Sequence, residues 1–110
     1  MEAVKDMHII LLKLGDNSSS APQFMERHNA WIAKGLADGV FQCVGSLDVG
    51  GGFILAHGEE NKAILQRVME DPFVENNVVT AEVHQVDVKR TAPELAHLAN
   101  EPEISFAGGS

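Results

Sequence analysis

Residues 7–14, MHIILLKL, are a short and largely apolar run closed by Asp6 on one side and Gly15 on the other. This pattern predicts a strand buried on both faces and central in a sheet. The following GDNSSSAP is a polar loop in which a serine can cap a helix and Pro22 can occupy its first turn. Phe24, His28, Trp31, Ile32, Gly35 and Leu36 then recur at helical spacing until Gly39 supplies a stop. His28 therefore lies on the apolar stripe of the first helix.

The period then changes to two. In VFQCVGSLDV, strict alternation puts Phe41, Cys43, Gly45, Leu47 and Val49 on one face and Gln42, Val44, Ser46 and Asp48 on the other. Gly50, Gly51 and Gly52 permit a tight reversal into FILAH, which predicts a hairpin. No helix with a lysine and a serine or threonine follows the triplet, so it reads as a turn and not as a phosphate cradle. From Glu59 to Glu70, Ala63, Ile64, Val68 and Met69 mark a second amphipathic helix. Pro72 ends it and leaves Asp71 as a helix-end residue. The last strand, VVTAEVHQVDV, sets Val79, Ala81 and Val83 on one face and Val78, Thr80, Glu82, His84 and Val86 on the other. A short helix from Pro93 to about Ala99 and a tail of small residues complete the chain.

The order strand, helix, strand, strand, helix, strand is that of an α+β, ferredoxin-like βαββαβ sandwich, with both helices on one face of a four-stranded antiparallel sheet. It predicts one domain over residues 1–110, with its core at 7–90 and a C-terminal extension over 91–110. The second face of the sheet is too apolar to leave wet, and a second copy of the chain is the economical cover, so a homodimer is expected.

Sixteen acidic residues against eight basic ones give a net charge of -8 over 110 residues. That charge repels phosphate backbones and anionic lipid surfaces, which argues against nucleic acid and membranes as partners. No apolar run approaches the roughly 20 residues of a membrane span, and the first residues do not follow a signal-peptide pattern. The expected location is cytoplasmic. Cys43 is the only cysteine; one thiol makes no intramolecular disulfide, and its neighbours Phe41, Val44 and Leu47 suggest a small buried hydrophobe.

His28 admits two readings: a core histidine with one satisfied nitrogen, or a general base whose other nitrogen is held by a carboxylate. Asp71 admits two as well, since Pro72 explains it as helix punctuation, yet a helix-end carboxylate can reach a neighbouring helix. Ser46 is a substrate-contact candidate, because a nucleophile would need a base in contact with it. His8, His57, His84 and His97 are scattered without ligand spacing, which points away from a metal.

Three segments, ERHNAWIAKGLADG, VGS on the second strand and MEDPFVENNVV before the last, resemble the YCII-related (YciI-like) family over about residues 7–90. The resemblance implies a dimeric α+β barrel with a pocket built around His28 and Asp71, and Ser46 maps beside that pocket at a position that is often small. The long GDNSSSAP loop and the C-terminal stretch depart from the family pattern. The function expected is cofactor-independent acid/base chemistry of lyase or isomerase type on a small cyclic or aromatic metabolite, through a His-Asp pair. A non-catalytic small-molecule-binding or accessory dimer is the alternative, because fold does not decide function.

Overall fold

The apolar run at residues 7–14 is placed where its composition directs it. The computed structural model describes residues 7–99, and in it β1 (Met7–Leu14) is one of two inner strands of a four-stranded antiparallel sheet. It pairs on one side with β3 (Gly52–His57) and on the other with β4 (Val79–Val86), while β2 (Phe41–Ser46) lies outside β3. The order β2-β3-β1-β4 is ferredoxin-like, and the expected α+β class holds. Two principal helices, α1 (Ala21–Ala37) and α2 (Asn61–Met69), and a short third one, α3 (Pro72–Glu75), complete this arrangement.

Alternation along β1 separates the two faces. His8, Ile10 and Leu12 are buried beneath the helices, whereas Met7, Ile9 and Leu11 on the other face are only half-buried. The core is formed by Ile10, Leu12 and Ile54 from the sheet, Trp31 from α1, Ile64 and Val68 from α2, and Phe73 from α3. Each such side chain contributes roughly 1.5–3 kcal/mol by leaving water. Trp31 also donates its indole N–H to the Arg67 carbonyl at 3.0 Å, which ties α1 to the end of α2. His8 is fully buried and its Nε2 lies 3.2 Å from Asn61 Oδ1, joining β1 to the start of α2.

Several expectations are corrected. The alternation expected through residues 40–49 breaks at Gln42, where a bulge separates the pairs Phe41–Ala56 and Cys43–Leu55. The extra residue reverses everything after it. Val44 and Ser46 come round to the helix side with Phe41, and Cys43 turns to the outer face, where it is exposed and not a buried hydrophobe. Leu47 to Val49 belong to the turn, not the strand. On α2, Ile64 and Val68 face the core, but Ala63 and Met69 are exposed. Ser20 precedes α1 without a capping bond, and its hydroxyl is instead 2.9 Å from Asn17 Oδ1. Val78 is not on the outer face: it precedes β4 and is buried, with its N–H donating to the Phe73 carbonyl at 2.9 Å. The helix expected from Pro93 is a 3-10 segment, Pro93–Leu98, with His97 2.9 Å from Gln42 Oε1. The tail beyond residue 99 lies outside the described residues.

Gly35 sets how closely α1 approaches the sheet. A Cβ there would overlap the Phe41 ring, which is itself packed by Trp31 at 5.1 Å and covered by the Arg67 guanidinium at 5.9 Å. Alanine favours a helix over glycine by about 1 kcal/mol, while overpacking costs about 1–3 kcal/mol. Because Phe41 has nowhere to move, overpacking wins, and Gly35→Ala is expected to lower the urea midpoint. A raised midpoint would mean that α1 sits farther from β2 than described.

Candidate active site

His28 reaches the site from α1, whose buried residues are His28, Trp31 and Gly35. That spacing is one helical stripe, so the periodicity that buries Trp31 also turns His28 inward. Its ring lies flat on Phe73, with centroids 3.9 Å apart and planes 4° apart, and Trp31 flanks it at 6.0 Å. The plane of the imidazole is thus fixed by packing on an aromatic plate.

Asp71 reaches the same place from the other direction. Its backbone is extended, as Pro72 requires of the preceding residue, and α3 starts at Pro72. Asp71 is therefore more than the end of α2: it is the N-cap of α3, and its Oδ1 accepts the Phe73 N–H at 2.9 Å. The same oxygen lies 2.7 Å from His28 Nδ1, a buried contact between a side chain that is fully buried and one that is 10% exposed. A carboxylate offers only acceptors, so in the neutral imidazole Nδ1–H donates to Oδ1 and Nε2 keeps the ring's lone pair. Asp71 Oδ2 is buried and has no hydrogen-bond partner among the described residues. Nε2 of His28 likewise has no protein partner among them, and His28 lines a cavity.

That cavity holds about 450 Å³ between α1 and the end of the sheet near the β2–β3 turn. Its helix side carries His28, Asn29 and Ile32; its sheet side is built from Leu12, Val44, Ser46, Gly52 and Ile54, and Phe73 borders it. A site of this size takes one substituted ring and is mostly apolar with a few polar groups, as small-molecule pockets are. Among the described residues its lining includes no lysine or arginine, so nothing there pairs with a phosphorylated group.

The structure thus brings His28 and Asp71 into direct contact and sets Ser46 in the same cavity, on the sheet side. Trp31 and Phe24 do not line it; Phe53 and Phe73 do. Phe73 and Asn29 were not singled out in the sequence, and Gly52 was read there only as part of the turn. Phe73 had a signal, because it follows Asp71 and Pro72 where a cap would place its N–H, and Asn29 had one in adjoining His28. The remaining histidines are spread out: His57 meets His97 edge-on at 6.1 Å, and His84 is 2.7 Å from Glu82. No group of three or more His, Cys, Asp or Glu side chains suited to a metal occurs among the described residues. Among them, too, no helix is long and apolar enough to cross a membrane.

No family model and no curated protein matches the chain. Among solved structures, the 5-chloro-2-hydroxyhydroquinone dehydrochlorinase of Burkholderia phenoliruptrix AC1100, in complex with 2,5-dihydroxybenzoquinone, is similar in fold. The TM-score is 0.61 at 18% sequence identity, covering 71% of this chain and 90% of that one. At this identity the likeness extends to the fold alone.

Proposed function

We propose that the protein is a YciI-like acid/base enzyme of lyase or isomerase type that works without a cofactor on a small cyclic or aromatic compound. The observation that supports this best is the 2.7 Å contact between His28 Nδ1 and Asp71 Oδ1 at the wall of a cavity of about 450 Å³. In this reading His28 is the base and Asp71 its orienting partner. Nε2 takes a proton from a ring hydroxyl, or from a carbon beside a carbonyl. The electron pair left behind forms a new double bond and, in an elimination, expels an anionic leaving group from the ring. The imidazolium produced is stabilised by the Asp71 carboxylate and returns its proton to the rearranged carbon or, where the leaving group departs as chloride, gives it up to solvent. Ser46 serves as a hydrogen-bond donor to a ring oxygen from the sheet side. A small ring as substrate agrees with the cavity's size and lining, and with the hydroquinone chemistry named for the dehydrochlorinase of similar fold.

The working unit in this proposal is a homodimer that covers the outer face of the sheet. Ile9, Leu11, Phe53 and Leu55 are half-exposed there in one chain, and a facing copy would remove them from water. Cys43 is a free and exposed thiol, which persists best in a reducing compartment, so we assign the protein to the cytoplasm.

A stability criterion for His28 does not separate the readings, because the ring is both packed against Phe73 and part of the cavity wall. Turnover does. With a panel of hydroxylated and chlorinated six-membered rings, followed by absorbance and chloride release, the wild-type protein is expected to convert at least one compound. His28→Ala should reduce kcat by about 10²–10⁴, and Asp71→Asn should also lower kcat while leaving binding in place. A ligand that binds wild type and both variants equally, with no conversion by any, would leave a non-catalytic binding protein. For the assembly, sedimentation at micromolar concentration should show a dimer that Leu55→Lys dissociates. A stable wild-type monomer would contradict it.

A further inference from the structure

The glycine triplet at the β2–β3 turn contains two different kinds of glycine. Gly50 and Gly51 have φ of 96° and 90°, a left-handed backbone that side chains oppose. A Cβ on Gly51 would also overlap the Leu12 carbonyl oxygen. These two are required by the turn. Gly52 is not. It is the first residue of β3, it pairs with Leu12 and with Ser46, and its φ is outside the left-handed region. A Cβ there would meet Gly45 O at 3.5 Å and Leu12 Cδ1 at 3.8 Å, which are ordinary contacts.

Glycine inside a strand loses stability through backbone entropy and the missing side chain, so its presence at position 52 calls for a reason other than the backbone. Alternation along β3 puts Gly52 on the same face as the buried Ile54 and Ala56, and both Gly52 and Ser46 line the cavity whose helix side carries His28. What a side chain at position 52 would change is the space in that cavity.

We propose that Gly52 is the specificity-determining residue of the site. With Ser46 across from it, it forms a low floor on which a flat, hydroxylated six-membered ring lies beneath α1. Ring chemistry at His28 is taken from the function proposed above, but the space argument concerns binding alone. An isopropyl group at position 52 would rise from this floor into the room the ring needs, and a methyl group would do so in part.

The test is hydroquinone binding to the full-length protein, measured by calorimetry and by shifts of the His28 ring signals, alongside thermal melting. Wild type is expected to bind. Gly52→Ala should weaken binding about tenfold and Gly52→Val more than about a hundredfold, with Gly52→Ala melting at or above the wild-type temperature. Should Gly52→Val fail to fold, Gly52→Ala decides. Wild-type affinity in both variants overturns the proposal, as does a Gly52→Ala variant whose binding and melting temperature fall together, since that would make the glycine structural. Absence of hydroquinone binding to wild type overturns the ring class. A graded loss of binding across the Gly52 series, with no turnover by wild type, would sustain Gly52 while removing the acid/base reading.

Discussion

One carboxylate oxygen, Oδ1 of Asp71, receives two buried donors, the backbone N–H of Phe73 at 2.9 Å and Nδ1–H of His28 at 2.7 Å. The first starts α3 and the second orients an imidazole carried by α1. Because both bonds meet at one atom, the cap fixes the carboxylate and the fixed carboxylate fixes the ring. Phe73 contributes twice: its N–H holds Asp71, and its side chain is the plate on which His28 lies. Burial makes this arrangement demanding, since a fully buried carboxylate that lost either donor would keep its desolvation cost. A site held this way is positioned by backbone and packing before any ligand arrives, which is what acid/base chemistry requires of its base.

Which parts were legible in the sequence follows from the range of the forces involved. The helical stripe that contains His28 depends only on local periodicity, and so do the central strand, the glycine turn and the βαββαβ order. Asp71 was legible as a break, because Pro72 acts on its immediate neighbour. Its capping role was not read, since Phe73 had to be recognised as the first free N–H of a new helix. The bulge at Gln42 was hidden for a different reason. Gln42 meets His97 through its Oε1 at 2.9 Å, and that contact is set by the tertiary fold. One unpaired residue was enough to exchange Cys43 for Val44 and Ser46 on the helix side. Without the bulge, Ser46 would face away from His28.

The cavity itself could not be read from periodicity, because its walls come from all four strands together with α1 and α3 and its volume depends on the small residues among them. The lining has few polar groups, and a chain of net charge -8 has no lysine or arginine to offer there among the described residues. Under the function proposed above, the guest is small and largely apolar, met by one base and a few donors.

The central claim is that Asp71 holds the proton of His28 on Nδ1 and leaves Nε2 as a free acceptor at the cavity. Nitrogen-15 NMR of the two ring nitrogens in the neutral imidazole reads this directly. The account predicts a protonated, pyrrole-type Nδ1 and an unprotonated, pyridine-type Nε2. A protonated Nε2 with a bare Nδ1 would contradict it, because His28 could then neither donate to Asp71 nor accept a proton from a ligand.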